Sequence, residues 1–181
     1  GRTQLEHGRE TYDVIVSEPT NPWISGVNSL FTVDFYRRVR ERLEPDGVFC
    51  QWMQLYELSP ETFRSMVASL LEVFPEGRVF VVWRAVDVLF VTAPPERRLA
   101  VERLQSPAGQ RMLDRAVIPS VDALAAYYAG TFEDMRAGSR QATLNRDDRP
   151  YVEYRAPRDL IEVGRAALYG DPKVLGLLPF A

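Results

Sequence analysis

Glu18 stands where a β-branched run, Tyr12-Asp13-Val14-Ile15-Val16-Ser17, gives way to a loop of turn residues, Pro19-Thr20-Asn21-Pro22-Trp23. In open α/β sheets, ligands sit at the carboxyl ends of the strands. A carboxylate there can take a proton from an amine or hold a cationic group. Asn21, three residues on, can hydrogen-bond in the same cleft, and Trp23 can wall an apolar or cationic substrate. The same residues also fit a quieter arrangement: Glu18 a solvated strand-end charge, Asn21 a turn former before Pro22, Trp23 core packing. Spacing alone leaves both readings open. Gln51 and Gln54 lie near the end of a second apolar strand. Two amides in such a strand need hydrogen-bond partners, either as ligand groups or as structural ties.

Other chemistries have less to work with. Cys50 is the only cysteine and lies in an apolar run. It permits no internal disulfide and has no neighbouring histidine or basic group to lower its pKa, so a buried thiol in a reducing compartment is expected. The single histidine, His7, sits in a polar N-terminal stretch, which weakens Ser-His-Asp, Cys-His and histidine-ligated metal chemistry together; no metal is expected. Lys173 is the only lysine, so a Schiff-base mechanism is not expected. Asp147-Asp148 has the form of a paired-carboxylate site, but flanking Arg146 and Arg149 favour a salt-bridged turn. The formal charge is −3, from 22 basic and 25 acidic side chains, so no net positive field draws the chain to nucleic acid or an anionic membrane. No stretch approaches the ~20 apolar residues of a membrane helix.

The elements that must position these residues read clearly in the first half. With 181 residues, 46% hydrophobic and 26% charged, the chain has the length and composition of a globular domain. Thr32 can cap a helix carrying Phe35, Val39 and Leu43, and Pro45-Asp46-Gly47 turns into a strand from Val48 to Met53. Ser59-Pro60 opens a second helix with Phe63, Met66, Val67, Leu70, Leu71 and Phe74 on one face. Strands at Val79–Trp83 and Val88–Thr92 are joined by Arg84-Ala85-Val86-Asp87, a link too short for a parallel crossover, so they form an antiparallel hairpin. The order is that of the second half of a doubly wound α/β sheet with one antiparallel strand. Beyond it, helices are expected near 96–104, 107–116, 120–129 and 131–137, a short strand at 151–154 and a last helix from Arg158 to Leu168. The division is thus an α/β part over 1–95 and a mostly helical extension over 96–181. No glycine-rich phosphate loop is present.

Three segments together resemble the spermidine synthase family, and most closely its bacterial spermidine synthase-like branch. They are Tyr12 to Pro22, Ser29-Leu30-Phe31-Thr32-Val33-Asp34-Phe35-Tyr36, and Leu43 to Gln51 with its Glu44-Pro45-Asp46-Gly47 turn; Asn145 to Tyr154 also resembles that branch. The resemblance implies a Rossmann-like, methyltransferase-type fold whose cofactor half lies upstream of Gly1. It implies decarboxylated S-adenosylmethionine, or S-adenosylmethionine itself, as cosubstrate, and a small amine such as putrescine as acceptor. In the family, an aspartate at the end of the fourth strand helps deprotonate the attacking amine and one three residues later binds it. Those positions match Glu18 and Asn21: the first keeps a longer carboxylate and the second has lost its charge. Gln51 matches a glutamine near the family's active site. Trp23 would line the acceptor pocket, while Gly1 and Ser17 fall on the cofactor side, Gly1-Arg2 as the end of the adenine-contacting turn. The family's substrate-side tyrosine has no clear counterpart in Arg84 to Asp87.

Some members of that branch are fused to a membrane-embedded region, which implies a cytoplasmic protein or the cytoplasmic side of a membrane-anchored one. The leading expectation is an excised C-terminal piece of an aminopropyltransferase, inactive alone. A methyltransferase and a non-catalytic interaction module on the same fold are the alternatives. With its neighbouring strands absent, the first strand is expected to present an unpaired edge and an uncovered apolar face, favouring a homo-oligomer or marginal stability.

Overall fold

A computed structural model describes residues 1–82, 87–93 and 100–162 of the chain. A short helix α1 (Arg2–His7) precedes strand β1 (Tyr12–Ser17); a single 3-10 turn, Val27–Phe31, follows. Helix α2 (Val33–Arg42) starts where expected, with the Thr32 hydroxyl accepting from the Phe35 N–H at 3.1 Å. Strand β2 (Leu43–Gln54) absorbs the expected turn as an irregularity: Tyr12 pairs with Leu43 and Val14 with Val48, with a register shift between. A Cβ at Gly47 would lie 2.9 Å from the Glu44 carbonyl oxygen and 3.0 Å from that of Tyr12, so the bulge closes on glycine. Helix α3 (Pro60–Leu71) is capped by Ser59, with Pro60 at its first position. Strands β3 (Gly77–Val82) and β4 (Asp87–Thr92) are antiparallel, as the short link demands. The rest is α4 (Val101–Gln105), α5 (Pro107–Arg115), α6 (Val121–Ala125), β5 (Tyr128–Thr131), α7 (Phe132–Ser139) and α8 (Tyr151–Glu162).

The strand order is β1-β2-β4-β3-β5, with β1 and β2 parallel and the other pairs antiparallel. The mixed α/β, Rossmann-like architecture therefore stands. One face of the sheet is the core side: Ile15 pairs with Phe49, Gln51 with Phe90 and Met53 with Val88. Phe49 packs against Phe35, Tyr36 and Phe74, and Phe90 against Phe63 and Phe132. On the other face Val14 and Val16 are 60% and 63% exposed. Among the described residues β1 pairs only with β2, and no helix is long and apolar enough to cross a membrane.

Two local expectations are corrected. Tyr151 to Tyr154 is the first turn of α8, not a strand. The apparent alternation is overridden because Val152, Ala156 and Asp159 are buried together at helical spacing. The helix expected over 120–129 stops at Ala125, and Tyr128–Thr131 instead extends the sheet along β3. The N-terminal stretch forms α1, supported by an Arg2–Glu6 ion pair at 2.8 Å. Residues 84–86 of the hairpin link, the start of the 96–104 helix, the last helix beyond Glu162, and Lys173 lie outside the described residues.

Two buried polar groups tie the C-terminal part to the sheet's helical cover. Asn145 is fully buried. Its amide nitrogen donates to the carbonyls of Asn28 (3.3 Å) and Phe31 (3.2 Å), and its amide oxygen accepts from the Val152 N–H (3.1 Å). Its backbone N–H donates to the Ser69 hydroxyl at 2.8 Å and its carbonyl accepts from the Val33 N–H at 2.9 Å. Asp159 of α8, also fully buried, accepts from the Ser59 N–H at 2.9 Å and hydroxyl at 2.8 Å and from the Thr62 hydroxyl, with Arg155 at 3.2 Å. Nearby, Asp147 holds Arg2 and accepts from the Thr32 hydroxyl at 2.8 Å.

Substituting Asn145→Ala strands several buried donors and acceptors, and is expected to cost about 2–4 kcal/mol in urea unfolding; a loss below about 0.5 kcal/mol would contradict the hub role. Burial pushes the Asp147 carboxyl up, but Arg2 and Thr32 outweigh it and hold it below its ordinary value. A depressed folded-state pKa contributes stability above the ordinary pKa and loses it as pH falls. The unfolding curves of the native protein and Asp147→Asn should therefore differ near neutrality and converge below about pH 4.

Candidate functional site

Parallel strands end on the same side of a sheet, so β1 and β2 deliver Ser17 and Gln51 side by side. The antiparallel β4 begins at that same edge, with Asp87 directly opposite Gln54. A cavity of about 480 Å³ runs along β1, and Gly1, Ser17 and Glu18 line it together with Leu5, Leu30 and Phe35. Three of the expected site residues therefore converge on one space. Asn21, Trp23 and Gln51 do not line it.

Gln51 is fully buried, and its amide nitrogen donates to the carbonyls of Trp52 (2.8 Å) and Ser17 (3.4 Å). It acts as a tie across the β1–β2 pair, immediately before Glu18. Its side-chain oxygen has no hydrogen-bond partner among the described residues. Asn21 is half-buried and its oxygen accepts from the Tyr56 hydroxyl at 3.4 Å. Trp23 meets the same Tyr56 ring edge-to-face, with centroids 6.4 Å apart, and packs against the core. Asn21 and Trp23 thus form a wall with Tyr56, a residue that strand and helix patterns alone did not single out.

Asp87 was also missed as a site residue; read along the chain it is only the last residue of a hairpin link. Here it is half-buried. Burial raises its pKa, the neighbouring Trp52 N–H opposes this, and the negative charge of Glu18 raises it further. Burial first, then Glu18, also pushes the Cys50 thiol up, so Cys50 is held protonated and is a poor nucleophile. Burial, then Asp87 and Glu57, raise Tyr56 as well, keeping its hydroxyl a donor. The sheet edge is rich in acceptors and negative charge, an environment for a cation.

The other candidates fall away from this edge. His7 is exposed on α1. Asp147-Asp148 is not a working carboxylate pair: Asp147 is taken up by Arg2, the partner expected to be Arg146 or Arg149. Arg2 in turn donates to the Ser29 carbonyl at 2.7 Å. Among the described residues no group of three or more His, Cys, Asp or Glu side chains is arranged to hold a metal ion.

Residues 1–85 match the family described as the spermine/spermidine synthase domain. The chain is also similar to the polyamine aminopropyltransferase of Moorella thermoacetica, at 35% identity over 79 residues. That likeness covers 42% of this chain and 28% of the relative, so the chain spans well under half of the relative's length. The family match falls on the half that carries β1, β2 and the cavity.

The charge of Glu18 at Cys50 gives a direct check on the geometry. Glu18→Gln should speed alkylation of Cys50 by iodoacetamide near neutral pH by about threefold. An unchanged rate would mean that the carboxylate does not face β2.

Proposed function

We propose, from the match of residues 1–85 to the spermine/spermidine synthase domain, that the chain forms the acceptor half of an aminopropyltransferase. The reaction moves an aminopropyl group from decarboxylated S-adenosylmethionine to a small amine. The observation that carries this reading is the convergence of Gly1, Ser17 and Glu18 on one cavity beside an acceptor-rich sheet edge.

The sulfonium cosubstrate supplies an electrophilic carbon when bound; the residues here supply position and a base. The amine lone pair forms the new N–C bond as the C–S bond breaks, and its electrons leave with sulfur. Glu18 takes the proton that the amine must lose. Gln51, tied to the Ser17 carbonyl, is a positioning residue that fixes where Glu18 begins. Gly1 and Ser17 would hold the cosubstrate on the cavity side. Trp23, Asn21 and Tyr56 would wall the acceptor, Trp23 and Tyr56 offering aromatic surface to a cation. The negative edge also separates the two cosubstrates. Ordinary S-adenosylmethionine carries a carboxylate that Glu18 and Asp87 would repel, and this disfavours a methyltransferase.

In the full polypeptide that carries these residues, Glu18→Gln should lower aminopropyl transfer by roughly 10²–10⁴-fold. Its affinity for decarboxylated S-adenosylmethionine, followed by calorimetry, should stay within about twofold, because the base acts on the amine. Retained turnover, or equal affinity for the ordinary cosubstrate, would overturn the assignment.

A further inference from the structure

A second cavity, of about 380 Å³, lies on the helical cover and shares no residue with the cavity along β1. Two guanidinium groups line it: Arg64, from the second turn of α3, and Arg140, which follows α7. Other arginines of this chain have partners. Arg2 holds Asp147, Arg136 holds Glu133 and Arg155 holds Asp159, while Arg40 and Arg42 donate to the carbonyls of Val73 and Leu5. Arg64 and Arg140 enter no ion pair among the described residues. Glu61, the carboxylate of the same cavity, pairs with neither.

Arg64 is half-buried, and its Nε is shut off from solvent with no hydrogen-bond partner among the described residues. The Nε of Arg155 is also without a hydrogen bond, but there the Asp159 carboxylate lies 3.2 Å away. Arg64 has no such counter-charge. A cation held in that way costs free energy, which an anion in the cavity would offset.

The neutral groups beside the arginines decide which anion fits. Thr143, Tyr151 and Gln141 line the same cavity and bring two hydroxyls and an amide as donors. The Ser65 hydroxyl engages the Thr143 carbonyl at 2.6 Å, which fixes the backbone there and leaves the hydroxyl uncommitted. A carboxylate offers one charge and two oxygens to this set. A phosphate group offers close to two charges and three terminal oxygens, and the planar guanidinium fork suits it. An adjoining cavity of about 400 Å³ shares Arg140 and runs over Ala68, Leu71 and Leu144, giving room for the body of an ester.

We propose that Arg64 and Arg140 form a phosphate-binding site, holding a phosphate group, free or on a small ester, together with the Thr143 and Tyr151 hydroxyls. The site is separate from the cavity along β1 and does not rest on the reading of Glu18.

The 181-residue chain would be titrated with inorganic phosphate, phenyl phosphate and acetate at constant ionic strength, following the heat of binding and the Nε–H resonance of Arg64. Both phosphates should bind at least about tenfold more tightly than acetate and shift the Arg64 signal. Arg64→Gln and Arg140→Gln should each weaken phosphate about tenfold. Arg140 is exposed, so its replacement reads binding without disturbing the core, and Arg64→Lys, which keeps the charge but not the fork, should retain part of the affinity. Tighter binding of phenyl phosphate than of inorganic phosphate would support the site and assign it to an ester; equal affinity would support it with free phosphate as the ligand. Acetate binding as well as phosphate, phosphate affinity unchanged in Arg140→Gln, or an Arg64 signal that does not move would overturn the proposal.

Discussion

Parallel pairing of β1 with β2 is the constraint on which the candidate site depends. It places Ser17 beside Gln51 and opens the loops after both strands onto one edge. Were β1 reversed, Glu18 would sit at the opposite end of the sheet from Tyr56 and Asp87. The antiparallel β4 adds its first residue to the same edge, so three strands contribute there while only two of them run in the same direction. The Gln51 amide, bonded to the Ser17 carbonyl, secures that pairing from within the core.

The features legible in the sequence were those whose physics is local. Thr32 and Ser59-Pro60 each satisfy orphan N–H groups within a few residues, and each does cap a helix. The β3–β4 hairpin follows from the shortness of its link. What escaped was set by distant partners. Tyr151 to Tyr154 alternates like a strand, yet Asn145 captures the Val152 N–H and turns the segment helical. Tyr128 to Thr131 becomes a strand only because β3 offers it an edge. Glu18, Ser17 and Gly1 were readable as candidates through strand position and resemblance, and the structure sets all three on one cavity. Asp87 was not a candidate, because the groups that shift its pKa, Trp52 and Glu18, lie far away along the chain.

The sheet divides its labour between faces. One is closed by aromatic contacts running from Phe35 through Phe49 to Phe74, and from Phe63 through Phe90 to Phe132. The other carries Val14, Val16 and Trp52 and leads to the negative edge. Rigidity on the first face allows polar side chains with few partners to persist near the end of the sheet, where Gln51 on the core face and Gln54 on the other each leave an oxygen unpaired among the described residues. Such groups cost stability, and they are concentrated where binding would reward them.

Asn145 reaches Phe31 and Asn28 across 114 and 117 residues of chain. Contacts of such span form late, since the entropy of closing a long loop must be overcome before they repay it. During synthesis, β1, β2 and α3 leave the ribosome well before Asn145 does. Until that residue arrives, the carbonyls of Asn28 and Phe31 and the cover over α3 wait unfastened, with aromatic side chains exposed. A nascent or truncated chain ending before Asn145 is therefore a client for chaperones, and the C-terminal segment works as the latch that closes a core assembled long before it.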